Sequence, residues 1–244
     1  MADTGSVGRQ IRPRLSKDRV LRSAVAIADT GGLGALTIRS LAQGLGVKPM
    51  SVYYHVANKD EILDGLVDIV FSEIELPSIG GDWRSEMRRR AHSARSVLRR
   101  HRWAIGLLES RPTPGPATLR HHDVVLGTLR AAGFSREMTA HAYALIDSYT
   151  YGFALQEASL PFEGPGAVTD VAEPIVEQFA TGEYPHMADM VSDYYLRPDY
   201  HFGDEFDFGL GLILDALDAA LPPIQRSPTP PDPLLEDTTN TVAP

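Results

Sequence analysis

Apolar residues recur at three- and four-residue steps along nearly the whole chain, and no clear alternating pattern typical of strands interrupts them. This periodicity predicts an all-α fold. Three short helices are expected near the N-terminus, over about 17–30, 38–45 and 49–55. The first is predicted to stop at Gly31-Gly32, and the second to run from a cap at Thr37 to Gly46. Pro49 suits the first position of the third helix, because its missing N–H would have no partner there.

The rest of the chain is predicted to form a second, larger helical unit. Asn58 caps a fourth helix, and Glu61 can reach back to the Asn58 backbone N–H, as in a capping box. That helix ends at Leu76-Pro77, and Asp82 caps the next, whose buried stripe is expected to contain Trp83, Met87, Ala91, Ala94 and Leu98. Further helices are expected over about 103–109, 116–132, 136–158 and 203–221, with a less regular stretch over about 160–200.

These elements divide the chain into four parts. We predict an N-terminal arm, a three-helix helix-turn-helix domain, a larger helical domain and a disordered proline-rich tail, over residues 1–14, 15–76, 77–221 and 222–244.

Charge is distributed unevenly between the two ends of the chain. The net charge is −9, yet residues 1–59 carry nine Lys or Arg against three acids, and residues 60–244 carry 14 Arg against 29 acids. A basic head on an acidic body concentrates positive potential on one surface, as phosphate binding requires. A chance excess of solvated charge is the alternative.

Several classes of function are excluded. The chain has no cysteine, so disulfides, thiolate nucleophiles and cysteine metal sites are absent. No Gly-x-Ser-x-Gly, His-Glu-x-x-His or phosphate-cradling glycine loop occurs, and we predict neither enzyme activity nor a cofactor. His121, His122 and Asp123 could suggest a metal or base, but adjacent helical residues point about 100° apart, so no metal site is predicted. No apolar run approaches the roughly 18 residues of a membrane span and no secretory signal is present, which predicts a cytoplasmic protein without membrane contact.

The tight turn Gly46-Val47-Lys48 joins the second and third helices. This geometry lets one helix enter the DNA major groove while the other braces across the backbone, although such corners also occur as plain structure. In the third helix Val52 is expected to pack inward, with Tyr54 as a second candidate for the core. The remaining polar and aromatic side chains face outward, which favours DNA binding.

These residues carry a family resemblance. The segments Leu36-Thr37-Ile38-Arg39-Ser40-Leu41-Ala42, Leu45-Gly46-Val47, Val52-Tyr53-Tyr54-His55-Val56 and Asn58-Lys59 resemble the DNA-binding domain of the tetracycline repressor (TetR) family. The second domain resembles the tetracycline repressor's own C-terminal class through Ser110-Arg111-Pro112-Thr113, Ala132-Gly133-Phe134-Ser135 and Phe206-Asp207-Phe208-Gly209-Leu210. The resemblance implies a homodimeric repressor that binds a palindromic double-stranded DNA operator and is released by a small-molecule inducer of unknown identity. A helical binding or scaffold protein without sequence-specific DNA binding is the alternative.

The resemblance also implies which residues face DNA. The predicted set is Thr37, Arg39, Lys48, Pro49, Met50, Ser51, Tyr53, Tyr54, His55 and Lys59. Arg39 offers a fork for guanine or phosphate, Met50 can pack on a thymine methyl, and Lys59 adds its charge to a helix N-terminus. Packing at the helix end is an equal alternative for His55. The basic arm could reach a minor groove or serve as a solubilising tail.

In the second domain the resemblance implies a ligand pocket and a dimer interface. The pocket is predicted to be bounded by Leu107, Arg111, Pro112, His122, Tyr143, Asp147 and Thr150, and the interface to contain Phe208, Leu210, Ile213 and Leu217. Magnesium–tetracycline is not expected as the ligand. Leu107 stands where the tetracycline repressor has a metal-binding histidine, Gln156 where it has an acid, and Ile74-Glu75 where it has a histidine pair. We expect instead an organic molecule with an apolar body and an acidic or carbonyl group. A pocket region that merely packs the core, and a monomer, are the alternatives.

Overall fold

The computed structural model describes residues 14–108, 110–160 and 182–221, and within these ranges it is helical and contains no strand. The predicted all-α class is confirmed. The helices are α1 (Lys17–Ala35), α2 (Ile38–Leu45), α3 (Pro49–Val52), α4 (Lys59–Glu73), α5 (Trp83–Arg100), α6 (Pro116–Ala131), α7 (Arg136–Ser159), α8 (Pro185–Met190) and α9 (Glu205–Ala219). The predicted tail, all of the predicted arm except Arg14, and half of the predicted irregular stretch lie outside the described residues. None of the helices described is both long and apolar enough to span a bilayer.

Three predicted helix ends need correction. α1 continues to Ala35, although Gly32 breaks its geometry with a φ of 68°, in the left-handed region that favours glycine. α3 stops at Val52 rather than near His55, because the chain closes into a tighter turn in which the His55 N–H donates to the Val52 carbonyl. The helix expected over 103–109 is reduced to a 3₁₀ turn at Arg102–Ala104, followed by Gly106, a poor helix former.

The helices α1 to α4 enclose the first core. Val20, Ala24, Leu41, Val52 and Leu66 are completely buried in it. Two caps fix the helix directions. Thr37 and Ser40 form a reciprocal capping box at α2, whereas at α4 the Asn58 side chain accepts from the Glu61 N–H but Glu61 accepts from the Ala57 N–H. The capping box predicted at α4 is therefore displaced by one residue.

The helix α4 also belongs to the second unit. Its first half contributes Ile62 and Leu66 to the core of α1 to α3, and its second half packs Val70 and Phe71 against α5 and against the loop before α6. The remaining core lies between α5, α6, α7 and α9. Thus one straight helix joins the N-terminal core to the body.

A second tie joins α1 to the body through His101, which is 6% exposed. Its Nδ1 lies 2.7 Å from Asp29 Oδ1 and its Nε2 lies 3.2 Å from Glu73 Oε2. The Trp103 indole N–H donates to the same Asp29 oxygen at 2.7 Å. These bonds hold the end of α5 against both α1 and α4.

The first turn of α6 is capped from α4 by Asp68. Its Oδ1 accepts from the Thr118 N–H at 2.8 Å and from the Thr118 hydroxyl at 3.1 Å. A carboxylate there satisfies a helix N–H that has no partner within the helix and complements the helix dipole. The carboxylate approaches Gly115 so closely that a Cβ on this residue would lie 2.3 Å from Asp68 Cγ.

We predict that Gly115→Ala destabilises the protein by about 1–3 kcal/mol, because the new methyl group displaces the Asp68 cap. Urea unfolding followed by circular dichroism measures the effect. Gly106→Ala is the matched control, since a Cβ there meets no atom within 4 Å. Equal midpoints for the two variants would contradict the capping role of Asp68.

Candidate nucleic-acid interface and ligand site

The turn between α2 and α3 sets the angle of the helix-turn-helix. Gly46 ends α2 with φ 67° and ψ 36°, a left-handed conformation. Its N–H donates to the Gln43 carbonyl, and the Val47 N–H donates to the Ala42 carbonyl. These two bonds close the last turn of α2, and the chain then restarts as α3 at Pro49.

The outer face of α3 presents large apolar groups to solvent. Met50 is 69% exposed, Tyr53 45% and Tyr54 86%, while Val52 and Val56 on the opposite side are buried. The suggestion that Tyr54 belongs to the core is wrong, because the turn after Val52 rotates it outward. Ser51 and His55 are half-buried beside this face. The exposed aromatic and thioether groups are typical of a surface that contacts another molecule.

The surroundings of α3 are positively charged. No acidic residue lies between Asp29 and Asp60 in the sequence. Arg39, Lys48 and Lys59 are exposed, and none of them forms an ion pair with another described residue. Asp60 and Glu61, the nearest acids, are paired with Arg111 and Lys17. The predicted DNA-facing side chains therefore share one cationic surface, except that the Thr37 hydroxyl is occupied in the cap with Ser40.

A cavity of about 280 Å³ lies between α4 and the start of α6. Of the predicted ligand residues, Arg111 and His122 line it, and the Tyr143 hydroxyl lies 2.7 Å from His122 Nδ1. The other lining residues are Asp64, Val67, Leu108, Thr113, Pro114, Gly115, Thr118 and Leu119. Leu107 packs into the adjacent apolar cluster and Pro112 is exposed, so neither lines the cavity.

Arg111 is already paired. Its Nε donates to Asp64 Oδ1 at 2.6 Å and its Nη2 donates to Asp60 Oδ1 at 3.0 Å. These bonds raise the pKa of the Arg111 guanidinium and neutralise it locally. The expectation that Arg111 holds an acidic group of the ligand is therefore corrected.

The two predicted residues on α7 take part in buried bonds. The Thr150 hydroxyl donates to the Ile146 carbonyl, and Asp147 accepts from Arg90 Nη1 at 2.6 Å and from the Tyr151 hydroxyl at 3.2 Å. Arg90 is 1% exposed, and its Nε donates to His121 Nε2 at 2.9 Å. The sequence analysis missed this trio of Arg90, His121 and Asp147. One signal was available, because Arg90 follows Met87 by three residues and precedes Ala94 by four on the apolar stripe of α5.

A larger cavity of about 420 Å³ lies beside α5, where Arg95, Arg99, Glu157 and Asp207 contribute to its lining. Arg95 is paired with Glu157 at 2.7 Å, so the strongest charges there already have partners. The cavity between α4 and α6 has the more apolar walls and is the better candidate for an organic ligand.

The site does not fit a magnesium ion. Leu107 and Ile74 offer hydrocarbon where oxygen ligands are needed, and Ile74 is 3% exposed within the core. Within the described ranges, no three histidine or carboxylate side chains are grouped as metal ligands.

The predicted interface residues on α9 fall on two faces. Leu210 and Leu217 are buried within the protomer, and Ile213 is half-buried against the same core, so these three are chiefly core residues. Phe208 is 68% exposed and Leu212, one turn later, is 56% exposed. On α7, Leu145 and Leu155 are 51% and 54% exposed. The unpartnered apolar side chains of α9 are therefore Phe208 and Leu212.

Burial of His121 has a consequence for stability. Desolvation, with the nearby charge of Arg90, lowers the pKa of His121 to about 3. Because the unfolded chain takes up this proton near pH 6.5, the native state loses stability as the pH falls below that value.

We predict that the free energy of unfolding falls between pH 7 and pH 5, with a contribution from His121 of up to about 1.4 kcal/mol per pH unit. His121→Gln, which keeps an acceptor for Arg90, should flatten this dependence in urea titrations. His141→Gln, at an exposed histidine, should retain it. A wild-type slope in His121→Gln would show that His121 is not held neutral by burial.

Comparison with known proteins agrees with this architecture. Residues 76–221 match the family model described as the tetracyclin repressor-like C-terminal domain. The HTH-type transcriptional repressor DrrR1 of Streptomyces coeruleorubidus is 35% identical over 226 residues, which cover 88% of this chain and 82% of that protein. The tetracycline repressor protein class D of Escherichia coli is 31% identical over 164 residues, or 64% of this chain and 71% of that one.

A solved structure is similar over most of its length. Apo ActR from Streptomyces coelicolor has a TM-score of 0.69 and 27% identity, and the match covers 85% of this chain and 96% of ActR. Together with the helix-turn-helix and its cationic face, these matches show that the chain is a DNA-binding regulator rather than an enzyme, and that it belongs to the tetracycline repressor (TetR) family of transcriptional regulators.

Proposed function

We propose that the chain is a cytoplasmic homodimeric repressor that binds a palindromic operator and leaves it when a small organic molecule occupies the cavity between α4 and α6. The observation that carries this proposal is the position of α4. One face of α4 lines the cavity through Asp64 and Val67, and the same helix supplies Ile62 and Leu66 to the core on which α3 rests. A ligand that moves α4 against α6 must therefore move the reading surface.

The proposed DNA contacts follow from the exposed groups. Tyr53, Ser51 and Lys59 would bind backbone phosphates, which position the domain without reading sequence. Arg39 and Met50 would contact base edges. Lys48, Pro49, Tyr54 and His55 complete the surface, with Thr37 acting through its cap on α2. Two-fold symmetry would place two such surfaces about one turn of DNA apart, which is the reason to expect a palindromic operator.

Two relatives support the ligand response. DrrR1 is named a transcriptional repressor, and ActR has been solved in complex with actinorhodin and with (S)-DNPA. In this chain the ligand would lie against Val67, Leu108 and Leu119, beside His122 and its partner Tyr143. We infer an organic ligand that needs no metal, because the positions corresponding to metal ligands are apolar.

We predict that the protein retards DNA from upstream of its own gene in gel shifts, and that Lys59→Ala weakens this binding. Loss of one phosphate contact should reduce the slope of log K against log salt by about 0.9. Tyr53→Ala should weaken binding without changing that slope, since tyrosine carries no charge.

Arg120→Ala is the matched control, because Arg120 is an exposed cation on α6. If the wild type fails to retard this DNA, or if Arg120→Ala and Lys59→Ala change the salt slope equally, the proposed interface is wrong.

We predict that Phe208→Asp and Leu212→Asp each shift the protein toward monomer in sedimentation, because a carboxylate in an apolar interface loses hydration without a partner. Operator affinity should fall with dimerisation. Leu126→Asp is the control, at a leucine on α6 that is 40% exposed. A wild-type monomer at micromolar concentration, or dissociation by Leu126→Asp as well, would contradict this interface.

A further inference from the structure

Arg90 and His121 hold two buried donor atoms that no described residue accepts from. These atoms are Arg90 Nη2 and His121 Nδ1. Arg90 is 1% exposed and His121 is completely buried. The two side chains stand on facing helices, α5 and α6, and are joined by the bond from Arg90 Nε to His121 Nε2.

The chemistry of the pair fixes the position of the histidine proton. A guanidinium donates and never accepts, so His121 Nε2 must be the unprotonated nitrogen. His121 is neutral at physiological pH, because burial and the charge of Arg90 lower its pKa to about 3. The remaining proton is therefore on Nδ1. Both orphaned atoms are donors, and together they call for an acceptor.

Such a pair is costly to keep. A buried donor without a partner forfeits the hydration it had in water, and native proteins leave few of them. Asp147 accepts from Arg90 Nη1 and from Tyr151, which leaves Nη2 over. A ligand that supplies one oxygen to both donors would recover this free energy on binding.

The donors adjoin the cavity between α4 and α6. Thr118 and His122, which line it, are one turn before and one residue after His121 on α6. The Phe71 ring lies 5.2 Å from the His121 ring and 5.4 Å from the His122 ring, between centroids. The route from the cavity to the donors thus runs along aromatic rings, which suits a flat aromatic ligand. A volume of about 280 Å³ is at the small end of ligand pockets and favours two or three fused rings.

The surrounding charges favour a neutral acceptor over a carboxylate. Arg90 is already neutralised by Asp147. Toward the cavity, Asp60, Asp64 and Asp68 outnumber Arg111, the cation paired with the first two. A second carboxylate brought to this site would meet an excess of negative charge, whereas a ketone oxygen would not.

We propose that Arg90 Nη2 and His121 Nδ1 jointly bind the carbonyl oxygen of a neutral aromatic ketone whose rings occupy the cavity. This inference rests on the proposed inducer site and names the chemical class that the site recognises.

Calorimetric titration of the full-length protein with 9-fluorenone and with fluorene tests the proposal. The two molecules share a flat three-ring body, and only the ketone carries an acceptor. We expect the ketone to bind at least about tenfold more tightly. The infrared carbonyl stretch of bound fluorenone should also shift to lower frequency than in hydrocarbon solvent, because two N–H groups polarise the bond.

The variants His121→Phe and Arg90→Lys should each remove most of the preference for the ketone and leave fluorene affinity unchanged, so the hydrocarbon reports on the integrity of the cavity. If a variant fails to fold, the comparison in the wild type still decides. Equal affinity for the two molecules, binding of neither, or tighter binding of fluorene-9-carboxylate than of the ketone would overturn the proposal.

Gel shifts on the same preparation separate this inference from the proposed function. A protein that binds its operator but shows no ketone preference refutes only the carbonyl site. A protein that prefers the ketone yet binds no operator refutes the proposed function and leaves the carbonyl site standing.

Discussion

The structure depends on one helix that serves two cores. α4 packs Ile62 and Leu66 under the helix-turn-helix and Val70 and Phe71 into the body, so neither unit can shift without carrying the other. The Asp68 cap on α6 and the pair of Asp64 with Arg111 fasten the same helix to the cavity wall. The coupling between ligand and DNA that a repressor needs is thus built from ordinary packing and two carboxylate contacts.

The acids of α4 are turned toward the body, which explains the charge pattern of the chain. Asp60, Asp64 and Asp68 are used by Arg111 and Thr118, and the DNA-facing surface retains only cations. The buried trio at Arg90 shows the opposite economy. It keeps unsatisfied donors in the interior, a cost in stability that is understandable where a ligand completes the bonding.

Much of the fold could be predicted from the sequence because its signals are local. Gly46, Asn58 and Asp82 mark helix ends by their own conformational or capping preferences, and the three- and four-residue periodicity identified the long helices. The exposure of Tyr54 was not predictable, because it depends on where α3 stops. The roles of Arg90 and Arg111 depend on partners 57 and 47 residues away in sequence, which no local pattern reveals.

The central claim is that α4 transmits the state of the body to the reading surface, and the operator affinity of Asp68→Ala tests it most directly. Asp68 belongs to the cap on α6, far along α4 from Lys59, and should not touch DNA. The account predicts that the variant remains a folded dimer and binds the operator at least about threefold more weakly, because α4 is no longer held to α6. Glu86→Ala removes a comparable backbone-accepting carboxylate from α5 and should leave affinity unchanged. Wild-type affinity in Asp68→Ala, with the cap on α6 lost, would contradict the account.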